Sequence, residues 1–412
     1  MKLNRLTIAV LSTCFSLGAV PLTASAVVFT QCPGDNNQDT KYTGSEVRPA
    51  NVKCVHLTAG DGFVKMGDNY PQYMFGFNDV TGTAASQVMS KGLLAANFPA
   101  PTLVFEQNDE AYVNLTNVSM VKRPDLADGH SLHYHGFPQA APVFDGTPEA
   151  SVEIKEGATL TYYYKNLEPG TYVYHCHVEA AEHMQMGMLG NLYVLPAQNK
   201  LADGTVFPNG FVHRNSGGAN SPNHYKYAYN DNDGSTRYQV EAALQLSGFD
   251  RDFHDLHVAV QPLPFAEMRD KYAMINGRGY PDTKIAGPLP GTLADNNNQV
   301  SQKISALVTA SVGQKVLLRI SNLSVTRYYT VGLLGLPMKV IANGGKLLRG
   351  PGGKDTSFDS SSITIGGGES MDVLIDTTGV APGKYFLYTT NLNYLSNNAE
   401  DFGGMMTEIQ IN

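Results

Sequence analysis

The sequence lacks a basic excess. Its 29 Lys and Arg face 37 Asp and Glu, and the net charge of −8 offers nothing to displace the counterions of a nucleic acid. Beyond the N-terminus it lacks any apolar run long enough to cross a bilayer. No long stretch shows clear helical periodicity. Cysteine is scarce, with four in 412 residues, and histidine stops at His257. The last third of the chain therefore has no imidazole to offer a metal.

What is present favours strands and turns. Gly (41), Tyr (22) and Phe (17) are frequent, and the apolar runs are short. Thr102–Glu106, Ala111–Leu115, Thr159–Tyr164 and Thr171–Tyr174 read as strands, with turn signals such as Pro169-Gly170 between them. A length of 412 residues suggests about two domains. The boundary is expected between Asn199 and Arg237, where Gly217-Gly218 and Asn230–Ser235 have loop chemistry. The halves repeat weakly. Pro101–Asn117 parallels Ser305–Asn322, Val152–Tyr162 parallels Ser362–Val373, and Pro169–Tyr174 parallels Pro382–Leu387, in the same order. Two copies of one β-sandwich domain are the economical reading.

The N-terminus reads as an export leader. Lys2 and Arg5 precede an apolar stretch from Leu6 to about Val20, and Ala24-Ser25-Ala26 forms a small-residue cleavage site. The expected organisation is a signal peptide at 1–26, a first domain at 27–198, a linker at 199–237 and a second domain at 238–412. A periplasmic or secreted location follows. Cleavage removes Cys14 and leaves Cys32 and Cys54 to pair in an oxidising compartment. Cys176 is then an odd thiol, and it sits between two histidines.

Two clusters carry the chemistry. One is His130-Ser-Leu-His133-Tyr-His135-Gly136; the other runs from His175-Cys176-His177 through His183 to Gly187-Met188. Together they hold six of the 11 histidines. A blue-copper site needs two imidazoles, a thiolate and a weak axial thioether. His130, Cys176, His183 and Met188 supply that set, with Met184 and Met186 as other axial candidates. Alternate side chains of an extended strand share a face, so His133 pairs with His135 and His175 with His177, while Cys176 turns the other way. One thiolate would then stand one residue from the ligands of a second metal.

These motifs resemble those of the multicopper oxidases, and Met274–Asp282 is similar to the Asn-Gly segment at the start of later oxidase domains. The resemblance implies an all-β chain of two cupredoxin-like Greek-key β-sandwich domains, with copper as cofactor. It implies that His130, Cys176, His183 and Met188 ligate type 1 copper. His133, His135, His175 and His177 would form half of a trinuclear site. Cys176, His175 and His177 would pass electrons from a donor substrate or redox protein to a centre that reduces dioxygen. Two-domain relatives assemble as homotrimers. The chain departs from the pattern in two places. The step from Cys176 to His183 is seven residues, longer than in the oxidases. In the second domain Gly332 and Leu334 stand opposite His133 and His135, and Tyr388, Thr389 and Thr390 stand opposite His175, Cys176 and His177. That domain is expected to be metal-free and mainly structural. His56, His213, His224, His254 and His257 read as surface or loop residues. The competing reading is a periplasmic blue-copper electron-transfer or copper-binding protein without oxidase turnover. Nitrite reduction is a weaker alternative, in which Asn391 stands near the position of a second-domain histidine.

Overall fold

The computed structural model describes residues 28–412, apart from 217, 219, 220, 222 and 292–299. The expected leader therefore lies outside the described residues. Among those described, no helix is long and apolar enough to cross a membrane. The chain is all-β, with strands far outnumbering its short helices, the first of which is α1 (Ala85–Gly92).

The first half has eight strands: β1 (Val52–Lys65), β2 (Pro71–Asp79), β3 (Ala100–Glu106), β4 (Glu110–Asn117), β5 (His133–His135), β6 (Thr159–Lys165), β7 (Gly170–His175) and β8 (Leu189–Leu195). One sheet has the order β2-β1-β4-β6 and the other β3-β8-β7-β5. Alternation fixes which side chains face the core. Along β6 Tyr162 and Tyr164 are buried while Tyr163 faces outward. Tyr134, the middle residue of β5, stacks on Tyr164 with ring centroids 3.7 Å apart. An inward Tyr134 obliges His133 and His135 to point away from that core.

The second half repeats this plan. Val240–Phe249 pairs antiparallel with Tyr272–Ile275 and parallel with Lys315–Asn322, as β1 does with β2 and β4. Tyr329–Leu334 pairs with Gly383–Thr389 as β5 pairs with β7. The registers correspond: His133 lies opposite His175, and Gly332 lies opposite Tyr388. Gly136 and Gly335, which close the two equivalent strands, both take positive φ, a conformation that other residues adopt at a cost. The same backbone thus carries imidazoles in one half and none in the other.

Segment 199–237 has loop composition but is not slack chain. Ala228, Tyr229 and Tyr238 are buried with Leu317, Ile341 and Leu374 of the second half. Cys32 and Cys54 form a disulfide that ties the N-terminal arm to β1, and Cys176 is free and buried.

A buried polar clamp joins the halves behind β7. Thr171 donates to Asp372 Oδ1 at 2.6 Å and accepts from Arg319 Nη1 at 2.8 Å. Tyr229 donates to Asp372 Oδ2 at 2.6 Å, and Arg319 also pairs with Glu241. Arg319 and Asp372 are almost wholly buried, so removing Asp372 leaves the buried Arg319 with Glu241 alone and takes the acceptor from Thr171 and Tyr229. Asp372→Ala is expected to destabilise the chain by about 3–5 kcal/mol, read as a fall in the denaturant midpoint.

Candidate metal centre

β7 ends at His175 and β8 starts at Leu189, so the second motif is the connection between two paired strands. The connection folds back on itself. Cys176 N donates to the Met188 carbonyl at 3.1 Å, and Met188 N donates to the His183 carbonyl at 2.9 Å. The seven-residue step to His183 is taken up by a short helix, α2 (Ala180–Met186), which carries His183. His130 arrives from the other motif. A two-bond bridge to Ile154 holds its backbone, N to O at 3.1 Å and O to N at 2.8 Å.

These elements bring Cys176 Sγ to 3.2 Å from His183 Nδ1 and 3.9 Å from His130 Nδ1. All three side chains are fully buried. Ser131 N points at the sulfur from 3.4 Å. Burial alone would raise the Cys176 thiol. The His183 charge and the hydrogen bonds of His130 and His183 outweigh it and bring the thiol down to about 5. Burial likewise works against a charged His183, but the Cys176 thiolate and Asp128 hold that imidazole well above its ordinary range. Asp128 Oδ2 lies 3.1 Å from His183 Nε2. A thiolate and two converging imidazoles are the donor set that soft copper requires. Met188 and Met186 are both buried in the same core cluster as Cys176. Met184 turns instead toward the four remaining histidines.

Those histidines line a cavity of about 560 Å³ on the opposite side of the His175-Cys176-His177 segment from the Cys176 sulfur. His133 and His175 rings are 5.1 Å apart, as are His133 and His177. His133 Nδ1 donates to the Asp145 carbonyl at 2.6 Å, leaving Nε2 as its free lone pair. His175 Nδ1 donates to the Cys176 carbonyl at 2.8 Å, again leaving Nε2. That Nε2 is 3.2 Å from His135 Nδ1. Burial, the largest influence on each, lowers the pKa of His133, His135 and His175, the last to about 3. Imidazoles held neutral are the form a metal binds. His133, His135 and His175 can each aim one nitrogen at a common point; His177 stands a little apart.

The second half brings no histidine or cysteine to the cavity but forms one of its walls. Ser324, Val325, Thr326, Arg327, Tyr328, Gly367 and Gly368 form the far wall of the cavity. Gly368 comes so close that a Cβ there would lie 2.5 Å from His135 Nε2. The expected surface histidines are also mostly internal. His254 and His257, on helix α3 (Arg251–Val258), are buried. His254 bonds the carbonyls of Tyr73 at 2.6 Å and Gln185 at 2.9 Å, and His257 Nε2 meets Glu182 at 2.7 Å. They brace α2 rather than extend the cavity. His56 and His213 are buried against Thr116 and Tyr227. Asn391 lies in a separate cleft, away from the four histidines. Asp128, Asp145 and the far wall carried no motif, and only the folded chain reveals them.

Family models described as multicopper oxidase match residues 80–199 and 257–410, one in each half. Multicopper oxidase MCE of Talaromyces pinophilus is 32% identical over 104 residues, which is 25% of this chain and 16% of that protein. L-ascorbate oxidase of Cucurbita maxima is 25% identical over 318 residues, 73% of this chain and 47% of that protein. The match thus spans well under two thirds of these curated relatives. Among solved structures, a blue copper oxidase from Nitrosomonas europaea superposes with a TM-score of 0.60 at 21% identity, covering 87% of this chain and 86% of its own. A copper nitrite reductase from the same organism gives 0.55 at 14% identity, covering 88% and 94%. Both show the shared fold. With a family model seated in each of its two sandwiches, the chain belongs to the multicopper oxidase family.

Proposed function

We propose that the protein is an exported copper oxidoreductase that takes electrons from a donor at a type 1 centre and delivers them to a four-histidine centre where dioxygen is reduced. The observation that supports this most is the bridge at Cys176. Its sulfur faces His130 and His183, while the residues on either side line a second donor cluster. Copper, once bound, supplies one-electron redox chemistry at both places.

The chain's own residues do the rest. His130, Cys176, His183 and Met188 would hold the first ion. Burial of all four keeps water out and limits rearrangement on electron transfer. The Cys176–His175 backbone and the His175 Nδ1–H···O=C hydrogen bond to Cys176 would give electrons a short route between the two places once copper is bound. His133, His135, His175 and His177 hold the second centre, whose cavity leaves room for a small oxidant. The homotrimer of two-domain relatives remains part of the proposal, although this chain's own second half walls the cavity.

The test is oxygen consumption by copper-loaded protein with phenolic and metal-ion donors. Turnover above that of free copper is expected. No excess turnover with both sites filled would remove the oxidase reading and leave the electron carrier, which one copper per chain would also favour.

A further inference from the structure

We propose that Met184 is a thioether ligand of the second centre and makes the four-histidine cavity a site for cuprous ion. The inference rests on the reading above that this cavity holds copper, and it does not depend on what that copper reduces. It starts from the two faces of α2. His183 meets the Cys176 sulfur, and Met186 packs in the same buried cluster as that sulfur. Ala180, Ala181 and Met184 line the cavity instead, with Ala180 and Met184 one turn apart on the same face. Two of those three are alanines, so Met184 is the one side chain that α2 can extend toward the imidazoles. It is half-buried, whereas Met186 and Met188 are fully buried. Packing at the edge of the apolar cluster that includes Val173, Leu189 and Leu323 holds it in place.

Three nitrogens already converge beside it. His133, His135 and His175 each bring one ligand atom within 4.8 Å of the others. The hydrogen bonds show which atoms these are. His133 and His175 commit Nδ1 to carbonyls and keep Nε2. Gly368 stands against His135 Nε2, and His135 Nδ1 lies 3.2 Å from His175 Nε2. Three imidazoles leave a further position, and the second half sends no histidine to fill it.

The lining also selects the oxidation state. Among the described residues it contains no carboxylate and no thiol, and its one permanently charged group is the Arg327 guanidinium. The Ser324 and Thr326 hydroxyls are engaged with Asp270, at 3.1 and 2.6 Å. Neutral imidazoles and a thioether carry no negative charge to balance a dication. The guanidinium repels a dication twice as strongly as a monovalent ion at the same distance. A thioether is a soft donor, and soft donors select the cuprous ion.

The test uses the full chain. Met184→Leu conserves side-chain volume and helix preference, and retained thiolate absorption shows an intact first centre. Cuprous affinity of the second centre, measured by competition with a chromogenic cuprous chelator, falls on the order of 10–100-fold, the scale for losing a supporting group at a metal site. Zinc affinity, which a purely structural role would lower as well, stays the same. X-ray absorption gives a readout independent of turnover. Cys176→Ser with Met188→Leu removes both sulfur donors of the first centre. Loaded with one equivalent of cuprous ion, that protein shows a sulfur neighbour to copper, and adding Met184→Leu removes it. No sulfur neighbour, an unchanged cuprous affinity in Met184→Leu, or cuprous and zinc affinities that fall together would overturn the inference and leave the copper reading of the cavity standing. Metal uptake that His133→Ala does not alter overturns both.

Discussion

Cys176→Ser yields a protein that folds, binds copper at the four-histidine cavity, and has no intense visible absorption. The argument starts from the side chain. Cys176 sits fully buried between His130 and His183, its thiol lowered to about 5 by the imidazoles despite burial. It is therefore a thiolate before any metal arrives, and sulfur-to-copper charge transfer gives the colour. A serine hydroxyl in the same place stays protonated at neutral pH. Loss of a group that hydrogen-bonds a metal ligand from behind typically costs 10–100-fold in metal affinity, and loss of the thiolate itself is expected to exceed roughly 100-fold. Donor-driven oxygen consumption drops to the level of free copper, because the electron route starts at the missing sulfur. Retained colour would show that another group supplies the thiolate ligand, which no free cysteine among the described residues can do.

His133→Ala is the complementary case. It removes a ligand of the second cluster without touching Cys176, His130 or His183. His133 faces His175 across the β5–β7 ladder, and its Nδ1 is tied to the Asp145 carbonyl. The variant keeps the thiolate absorption at full strength and is bleached by one equivalent of donor. Its colour then returns in air at least on the order of 10²-fold more slowly, again scaled from the affinity lost with a single supporting group. Stopped-flow reoxidation measures this directly. Reoxidation at the wild-type rate would mean that oxygen reacts without the cavity, and the two-centre account would fail.

The sequence made legible what is local and periodic. The six histidines and Cys176 fall in two short segments, and strand alternation alone separates Cys176 from His175 and His177. The repeat even placed Gly332 opposite His133, and the strand registers agree. It did not show what comes from distant chain. The far wall at Ser324–Tyr328 and Gly367-Gly368 lies some way downstream and carries no metal-binding residue type, so only tertiary packing reveals it. His254 and His257 read as surface or loop residues because a lone histidine is mostly exposed. Helix α3 instead turns them inward against β2 and α2. The long step to His183 read as a longer loop, whereas its residues close into a helical turn capped at Gly187, where φ is +118°. Asp128 is a single carboxylate with no motif, and its importance follows from the His183 imidazole it faces.

The most direct measurement is electron-spin and visible spectroscopy with copper quantitation on one purified, copper-loaded sample. The account predicts intense thiolate-to-copper absorption, and at least two coppers per chain with either a second spin signal or a spin-silent coupled pair. A single copper, or two coppers without the thiolate band, would contradict it.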